Sequence, residues 1–232
     1  MRVSVGLTPR DEVAAPVAVV IDVLRATSTI CQAFAGGFER VVCVGEVDEA
    51  RALRGEGVAI GGERFNVRPE GFDFGNSPRE FAGLTKASTT LVLTTTNGTR
   101  LLLGAAARCD TVLAGSLLNL DAVVAAVFES VTAEVALLCA GVEGRFAVDD
   151  AYVAGVLAGA IGGEPDDSAI AAIRLAGTFS SDEDGIGSGA SADNIRRAGL
   201  DADIPWCAQR SLLDVVPRVA SRTATSVELE LG

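Results

Sequence analysis

The sequence predicts an α/β fold: a mostly parallel or mixed sheet with helices on both faces, three layers in one domain over residues 1–232. Three observations carry this expectation. Short apolar runs alternate with helix-like stretches along most of the chain. Several of these runs stop abruptly at polar turns, as strands do when they deliver the chain to a helix on the sheet face. At 232 residues and 49% apolar content, there is enough material to bury one large core.

The elements follow in order. Val3–Leu7 reads as a strand, and Pro16–Ile21 as a second that ends at Asp22. Ile30–Gly36 continues as a helix, Arg40–Val44 is a strand, and Val47–Arg54 a short helix leaving through Gly55. Val58–Ile60 is a strand that stops at Gly61-Gly62-Glu63-Arg64. A long Gly/Asn/Phe/Pro loop then runs to Pro78, and loops of that length inside domains are usually functional or disordered. Its phenylalanines (Phe65, Phe72, Phe74) predict an ordered loop packed on the body. Ser77-Pro78 has the form of an N-cap followed by proline at the first helical position.

Thr90–Leu93 is the next strand, followed by a polar turn and a helix over Leu101–Arg108. Strand Thr111–Ala114, helix Asp121–Glu129, strand Glu134–Cys139 and helix Asp149–Ile161 complete the alternation. Beyond Gly163 the chain is helical and more polar. Ser180–Ser191 reads as a flexible connector too rich in glycine to hold a helix, Asp193–Gly199 as a resumed helix, and Ser226–Leu231 as a final strand.

Two turns concentrate the chemistry. Asp22-Val-Leu-Arg25-Ala-Thr27-Ser28-Thr29 closes one apolar strand, and Thr94-Thr-Thr96-Asn97-Gly98-Thr99-Arg100 closes another. Each leads into a helix, so backbone N–H groups and the positive end of the helix dipole gather there, a ready site for an anion. Gly98 lets the backbone approach a ligand closely. In open α/β sheets, ligands collect outside the carboxyl ends of the strands, and that edge would hold Asp22, Glu63, the Thr96–Arg100 turn and the Cys139–Asp150 loop together.

Composition narrows the chemistry. The net charge of −12, from 19 basic and 31 acidic residues, argues against general nucleic-acid binding. The cations are nearly all arginine, with Lys86 the only lysine, and Arg25, Arg64, Arg68, Arg79, Arg100 and Arg145 fall in or beside loops after strands. Arginine's planar fork suits phosphate or sulfonate. With no histidine, imidazole mechanisms are excluded, and acid–base work falls to carboxylates, Cys, Tyr or metal-bound water. Five cysteines without a CxxC pair fit buried, reduced thiols and a cytoplasmic protein. No signal peptide and no membrane-length apolar run is apparent.

The carboxylates admit two readings each. Asp22, ending a buried strand, serves as a metal ligand, a nucleophile or a cap; the haloacid-dehalogenase pattern DxDx[TV] is not met because Leu24 holds the second acidic position. Asp149-Asp150 suits a helix N-terminus whatever the function. Together with Asp22 and Glu63 on one edge, the pair could also supply oxygens to Mg²⁺. Cys139-Ala-Gly-Val-Glu-Gly-Arg145 has the C-x5-R spacing of cysteine phosphatases, although Glu143 inside it would repel phosphate.

Four ordered motifs are similar to those of one family. They are Asp22-Val-Leu-Arg-Ala-Thr-Ser-Thr; Gly62-Glu-Arg with Gly71-Phe-Asp-Phe-Gly-Asn76-Ser77-Pro78; Thr95-Thr-Asn-Gly-Thr99; and Cys139-Ala-Gly-Val-Glu-Gly-Arg-Phe-Ala-Val-Asp-Asp150. With Ser191, Leu200, Asp203-Ile, Cys207 and Val216-Pro217 following in order, most of the chain resembles the 2-phosphosulfolactate phosphatases. The resemblance implies a Mg²⁺-dependent hydrolase that removes phosphate from 2-phospho-3-sulfolactate, a step of coenzyme M synthesis in organisms that make it. It implies catalytic roles for Asp22, Arg25 and Glu63. Substrate contacts are expected from Thr27, Ser28, Arg64, Asn76, Ser77, Thr96, Asn97, Gly98, Thr99 and Arg100, and metal contacts from Asp22, Glu63, Asp149 and Asp150.

Two alternatives remain: a metal-independent cysteine phosphatase using Cys139 and Arg145, and a non-catalytic module that binds a small anion through the same turns. The expected partner is a small phosphoester or sulfonate, with no nucleic acid and no membrane; self-association into a homo-oligomer is left open.

Overall fold

Val17–Ile21 (β2) is buried along its whole length, because its alternate side chains enter two different cores. Val17, Val19 and Ile21 join one, while Ala18 and Val20 join the other. A strand apolar on both faces must be covered on both, and this one is the spine of a three-layer α/β fold. The computed structural model describes residues 1–84 and 89–232; Lys86 lies outside them.

Around β2 run β1 (Arg2–Gly6), β3 (Arg40–Val44), β4 (Val58–Gly62), β5 (Thr90–Thr94), β6 (Thr111–Gly115), β7 (Glu134–Cys139), β8 (Glu164–Pro165), β9 (Pro217–Arg222) and β10 (Ser226–Leu231). Among the described residues they form one sheet in the order β4-β5-β3-β10-β9-β6-β2-β7-β1-β8. The pairings β4–β5–β3 and β6–β2–β7–β1–β8 are parallel. The hairpin β9–β10 lies antiparallel between these two groups and joins them. Sequence reading anticipated β10 but not β9, whose Pro-Arg-Val-Ala-Ser-Arg has no continuous apolar run.

Helices α1 (Ala26–Ala35) and α3 (Gly98–Ala106) cover one face through Ile30, Phe34, Leu101 and Leu102. On the other face lie α4 (Leu120–Glu129), α5 (Val148–Ile161), α6 (Asp167–Ala176), α7 (Asp182–Ile186), α8 (Ala190–Arg197) and α9 (Asp203–Cys207), with α5 central. The short α2 (Val47–Ala52) seals a small third cluster with Phe72.

Several local expectations are corrected. Helix α1 begins at Ala26, not Ile30, because the Thr27 and Ser28 hydroxyls donate to the carbonyls of Asp22 and Val23 instead of breaking the helix. The stretch expected to be a flexible connector contains α7, capped by Ser181, whose hydroxyl accepts from the Asp184 N–H. Gly185 there serves packing, since a Cβ would collide with the Tyr152 ring. Ser77 does not cap the turn at Pro78–Glu80; its hydroxyl donates to Asp203 at 2.6 Å. In the long loop Phe72 and Phe74 pack inward, with the Phe74 and Phe81 rings 4.7 Å apart, but Phe65 is 81% exposed.

The curl of the sheet places the functional edge. Seven strand intervals separate β4 from β7, roughly 34 Å in a flat sheet. Yet Glu63, after β4, and Glu143, after β7, line one cavity. The sheet therefore wraps around α1 and α3 and brings the strand ends together at the N-termini of these two helices. Side chains from both strand groups accordingly share one core with those helices.

Candidate active site

The cavity at this edge measures about 70 Å³. Asp22, Arg25, Glu63, Asn66, Asn76, Thr96, Asn97 and Ser191 supply most of its polar lining. It opens beside a larger groove of about 540 Å³, and the two share Phe65, Thr96, Asn97 and Glu143.

Asp22 is held by the turn that follows it. Its Oδ1 accepts the Ala26 N–H at 3.2 Å, and its own N–H donates to Thr27 Oγ1 at 3.1 Å. Gly98 lies against the carboxylate, where a Cβ would sit 2.5 Å from Asp22 Oδ2 and 2.5 Å from the Ala26 Cβ. Only glycine lets α3 start this close. Burial pushes the Asp22 carboxyl up to about 6, opposed by the Ala26 N–H and reinforced by the charge of Glu63.

Glu63 is fixed by three donors. Its Oε1 accepts the Thr96 N–H at 2.8 Å and the Thr96 hydroxyl at 2.9 Å, while Oε2 accepts the Asn66 N–H at 2.8 Å. Gly62, at φ 140°, turns the chain here, and any side chain would overlap the Thr94 carbonyl. Asn66 takes a positive φ of 64°, a conformation asparagine tolerates better than most residues.

Behind Asp22 stand two more buried acids. Asp150 accepts the Val23 N–H at 2.9 Å and the Gly141 N–H at 2.8 Å, one on each oxygen, so it ties the ends of β2 and β7 to α5. Asp149 is buried with Oδ1 unpartnered. Burial raises Asp149 to about 7, against the Ser191 hydroxyl that favours its ionised form. Burial and the neighbouring Asp149 and Asp22 charges raise Asp150 well above the carboxylate range.

Arg25 enters the cavity from the N-cap of α1 and is 2% exposed. Its Nη1 donates to Asp203 Oδ2 at 2.7 Å and its Nη2 to Asn66 Oδ1 at 3.1 Å, leaving Nε without a partner. Asn76, with Oδ1 also unpartnered, and Asn97, whose side chain makes no capping bond, complete the polar wall.

The remaining expected substrate contacts divide clearly. Thr27, Ser28 and Thr99 are wholly buried, with hydroxyls engaged in their own turns; Thr99 and Thr95 bond each other's backbone at 3.1 and 3.2 Å. Ser77 faces Asp203. Arg64 and Arg100 line the neighbouring groove, Arg64 bonding the Gly45 carbonyl and Arg100 pairing with Glu46 at 2.7 Å. Asn66 and Asn194 were not singled out in sequence, and Asp203 appeared only within the family pattern, with no role. Asp203 opens a short helix, where an acid reads as an ordinary dipole partner, and only tertiary contact distinguishes it. Asn194 could have been found from its spacing of three residues from Ser191, which puts both on one face of α8.

Cys139 is wholly buried, and burial together with the charges of Asp150 and Asp149 pushes its thiol well up, away from the thiolate a nucleophile needs. Arg145 is exposed and lines neither the cavity nor the groove. The geometry gives the C-x5-R route no reactive pair.

The profile of the 2-phosphosulpholactate phosphatase family matches residues 3–222. This chain belongs to that family, whose members are phosphoric monoester hydrolases. A relative from Thermus thermophilus is 37% identical over 232 aligned residues, 98% of each chain, and is named a probable 2-phosphosulfolactate phosphatase. One from Thermotoga petrophila, named likewise, is 37% identical over 221 residues, covering 94% of this chain and 96% of its own. A third, from Clostridium acetobutylicum, bears the same name at 36% identity over 212 residues, 87% of this chain and 88% of its own. Family membership thus spans both strand groups and the loops that line the cavity.

The donor set can be tested against the Mg²⁺ that the family resemblance implies. Among the described residues no three His, Cys, Asp or Glu side chains converge to wrap an ion. That excludes a closed cage but suits Mg²⁺, which takes one or two carboxylates and keeps waters and substrate oxygens. Asp22 and Glu63 face the cavity, and the unpartnered Asp149 Oδ1 lies buried behind them. The residues fit.

Proposed function

We propose that the chain hydrolyses a small, multiply anionic phosphomonoester with Mg²⁺, the substrate being 2-phospho-3-sulfolactate and the products 3-sulfolactate and phosphate. The observation that carries this reading is the convergence of Arg25, Asn97, Asp22 and Glu63 on one small cavity. The cavity, about 70 Å³, is lined mostly by polar side chains of the kind that hold a phosphoryl group.

Asp22 and Glu63 would hold the cation, which when bound neutralises phosphoryl charge and lowers the pKa of water. Arg25 binds a phosphoryl oxygen through its free edge, while Asp203 and Asn66 fix its other donors. The Asn97 amide and the N–H groups opening α3 orient the phosphoryl group. Thr96 and Asn66 keep the Glu63 oxygens aimed into the cavity. Asp22, Asp149 and Asp150 crowd one another in a buried site, where burial and their mutual charge oppose full ionisation until a cation is bound.

The five free cysteines support a reducing, cytoplasmic setting. No helix among the described residues is long and apolar enough to cross a membrane. Where coenzyme M is made, the reaction belongs to its synthesis.

The test is phosphate release from 2-phospho-3-sulfolactate by purified protein. Release should cease after exhaustive EDTA treatment and dialysis and return with added Mg²⁺. Full activity in metal-free buffer, or none with Mg²⁺, would overturn the reading.

A further inference from the structure

We infer that Phe65 is the cover of the cavity: once an anion is bound, its ring turns across the rim onto Leu24 and Val142 and shuts water out of the reacting site. This rests on the phosphatase reading above and deepens it. Phe65 lines both the cavity and the neighbouring groove, and at 81% exposure it can do so only from the rim. Of the described residues that line the cavity, Leu24, Phe65 and Val142 alone are apolar, and Leu24 and Val142 are half-buried. The cavity thus has polar walls and an apolar rim whose largest member is left unpacked.

The backbone beneath the ring is a tight two-residue turn. Phe65 and Asn66 take φ 53° and 64°, and the Arg64 and Val67 N–H groups donate to each other's carbonyls at 3.0 Å across it. Two left-handed residues in a row favour Gly, Asn or Asp. Asn66 meets that demand and Phe65 does not, while the exposed ring returns little to the fold in this state. A strained, unpacked aromatic beside a cluster of charges points to a side chain kept for a second state.

The turn is tied to two of the reacting groups. The Asn66 N–H donates to Glu63 Oε2 at 2.8 Å, and Asn66 Oδ1 accepts from Arg25 Nη2 at 3.1 Å. On its other side Arg64 donates to the Gly45 carbonyl at 2.7 Å and to the Thr94 hydroxyl at 2.9 Å. The backbone is therefore anchored while the ring is free to rotate about its own side-chain bonds, a fast motion for an exposed residue. Closing buries apolar surface of the ring, Leu24 and Val142. It also takes solvent away from Arg25, Asp22 and Glu63, which strengthens every charge interaction in the cavity.

The experiment places an indole at the rim. Trp206 is the only native tryptophan, so wild type supplies the background for Phe65→Trp. Adding Mg²⁺ and inorganic phosphate should shift the variant's emission to shorter wavelength and lower its quenching by acrylamide, beyond any change in wild type. In turnover, Phe65→Ala should lower kcat roughly 10-fold or more as water enters the site. Its rate should also fall more steeply with added KCl, because solvated charges are screened and buried ones are not. Phe65→Leu keeps an apolar cover and should restore most of the rate and the shallower salt dependence. All three variants should melt with wild type, since little of the ring is buried. No protection of the indole by phosphate, or protection already complete without it (as burial against a second copy would give), overturns the inference. So does wild-type kcat and salt dependence in Phe65→Ala. Protection by phosphate in a protein that releases no phosphate from 2-phospho-3-sulfolactate would instead refute the phosphatase reading and leave the cover assigned.

Discussion

Arg25 and Asp203 are 178 residues apart in sequence, yet they form a 2.7 Å ion pair with both side chains almost completely buried. The Asp203 Oδ1 is satisfied separately, by the Ser77 hydroxyl at 2.6 Å. The pair therefore locks the turn after β2 to the long loop and to α9 at once. Leaving a buried charge unpaired costs about 3–5 kcal/mol, so Asp203→Ala should destabilise the fold by that order in urea melts. Activity per folded molecule should also fall, because Arg25 loses the anchor that aims it. An Arg25→Met, Asp203→Ala double variant should be more stable than the sum of the single losses implies. Additive losses would mean the contact carries no coupling.

Asp22→Asn and Glu63→Gln keep shape and remove charge from the cavity wall. Each should raise the Mg²⁺ concentration needed for half-maximal rate or abolish turnover, with the far-ultraviolet spectrum unchanged. Wild-type kinetics and metal dependence in both variants would place the reaction elsewhere.

Cys139→Ser should keep a substantial fraction of wild-type kcat. The thiol is buried in the α5-side core with its ionisation opposed, so serine there costs packing and not chemistry. A loss of several orders of magnitude in a folded variant would restore the cysteine route.

Asn97 and Thr99 should separate. Thr99→Val removes the hydroxyl that accepts the Thr95 N–H and donates to the Thr95 carbonyl, and should cost about 1 kcal/mol per lost bond, with little change in kcat/KM per folded molecule. Asn97→Ala, whose side chain faces the cavity and caps nothing, should lower kcat/KM by ~10²-fold with little loss of stability. The reverse pattern would exchange the two roles.

Asp22 and Asp149 predict an unusual stability profile. Burial raises their carboxyls from the ordinary 3.8 to about 6 and about 7. Between those values the native state binds more protons than the unfolded chain, so their contribution is complete below pH 4 and lost as pH rises through 6 to 7. The metal-free protein should melt at a lower temperature at pH 8 than at pH 5.5, and Mg²⁺ should reverse most of the deficit at pH 8. A metal-free Tm that rises over this range would show these acids to be ionised in the native fold.

The alternating strands, the two polar turns and the acids at the strand ends were legible in sequence because each depends on local periodicity or on a residue type at a strand terminus. Glu63 and Asp22 are of this kind. What escaped depends on distance in sequence. Nothing around Asp203 signals that it meets Arg25, and nothing in Pro217–Arg222 signals a strand, since β9 is stabilised by its neighbours and not by an apolar run. Thr27, Ser28 and Thr99 show the other side of local reading: their hydroxyls stand out in sequence as ligands, and in the fold they are buried and close the turns that present Asp22 and Asn97.

The β9–β10 hairpin has a consequence for the order in which the enzyme comes into being. Every residue of the cavity precedes Pro217, yet one edge of β3 and one of β6 are paired only by the hairpin. Without the hairpin the two parallel groups, Glu63 on one and Asp22 on the other, would meet only through the core they share with α1 and α3 and by no strand pairing. A chain that stops short of Pro217 carries every cavity residue but leaves two strand edges unpaired, the kind of edge that invites pairing with another chain. Formation of the hairpin is therefore the event that makes the two halves one sheet.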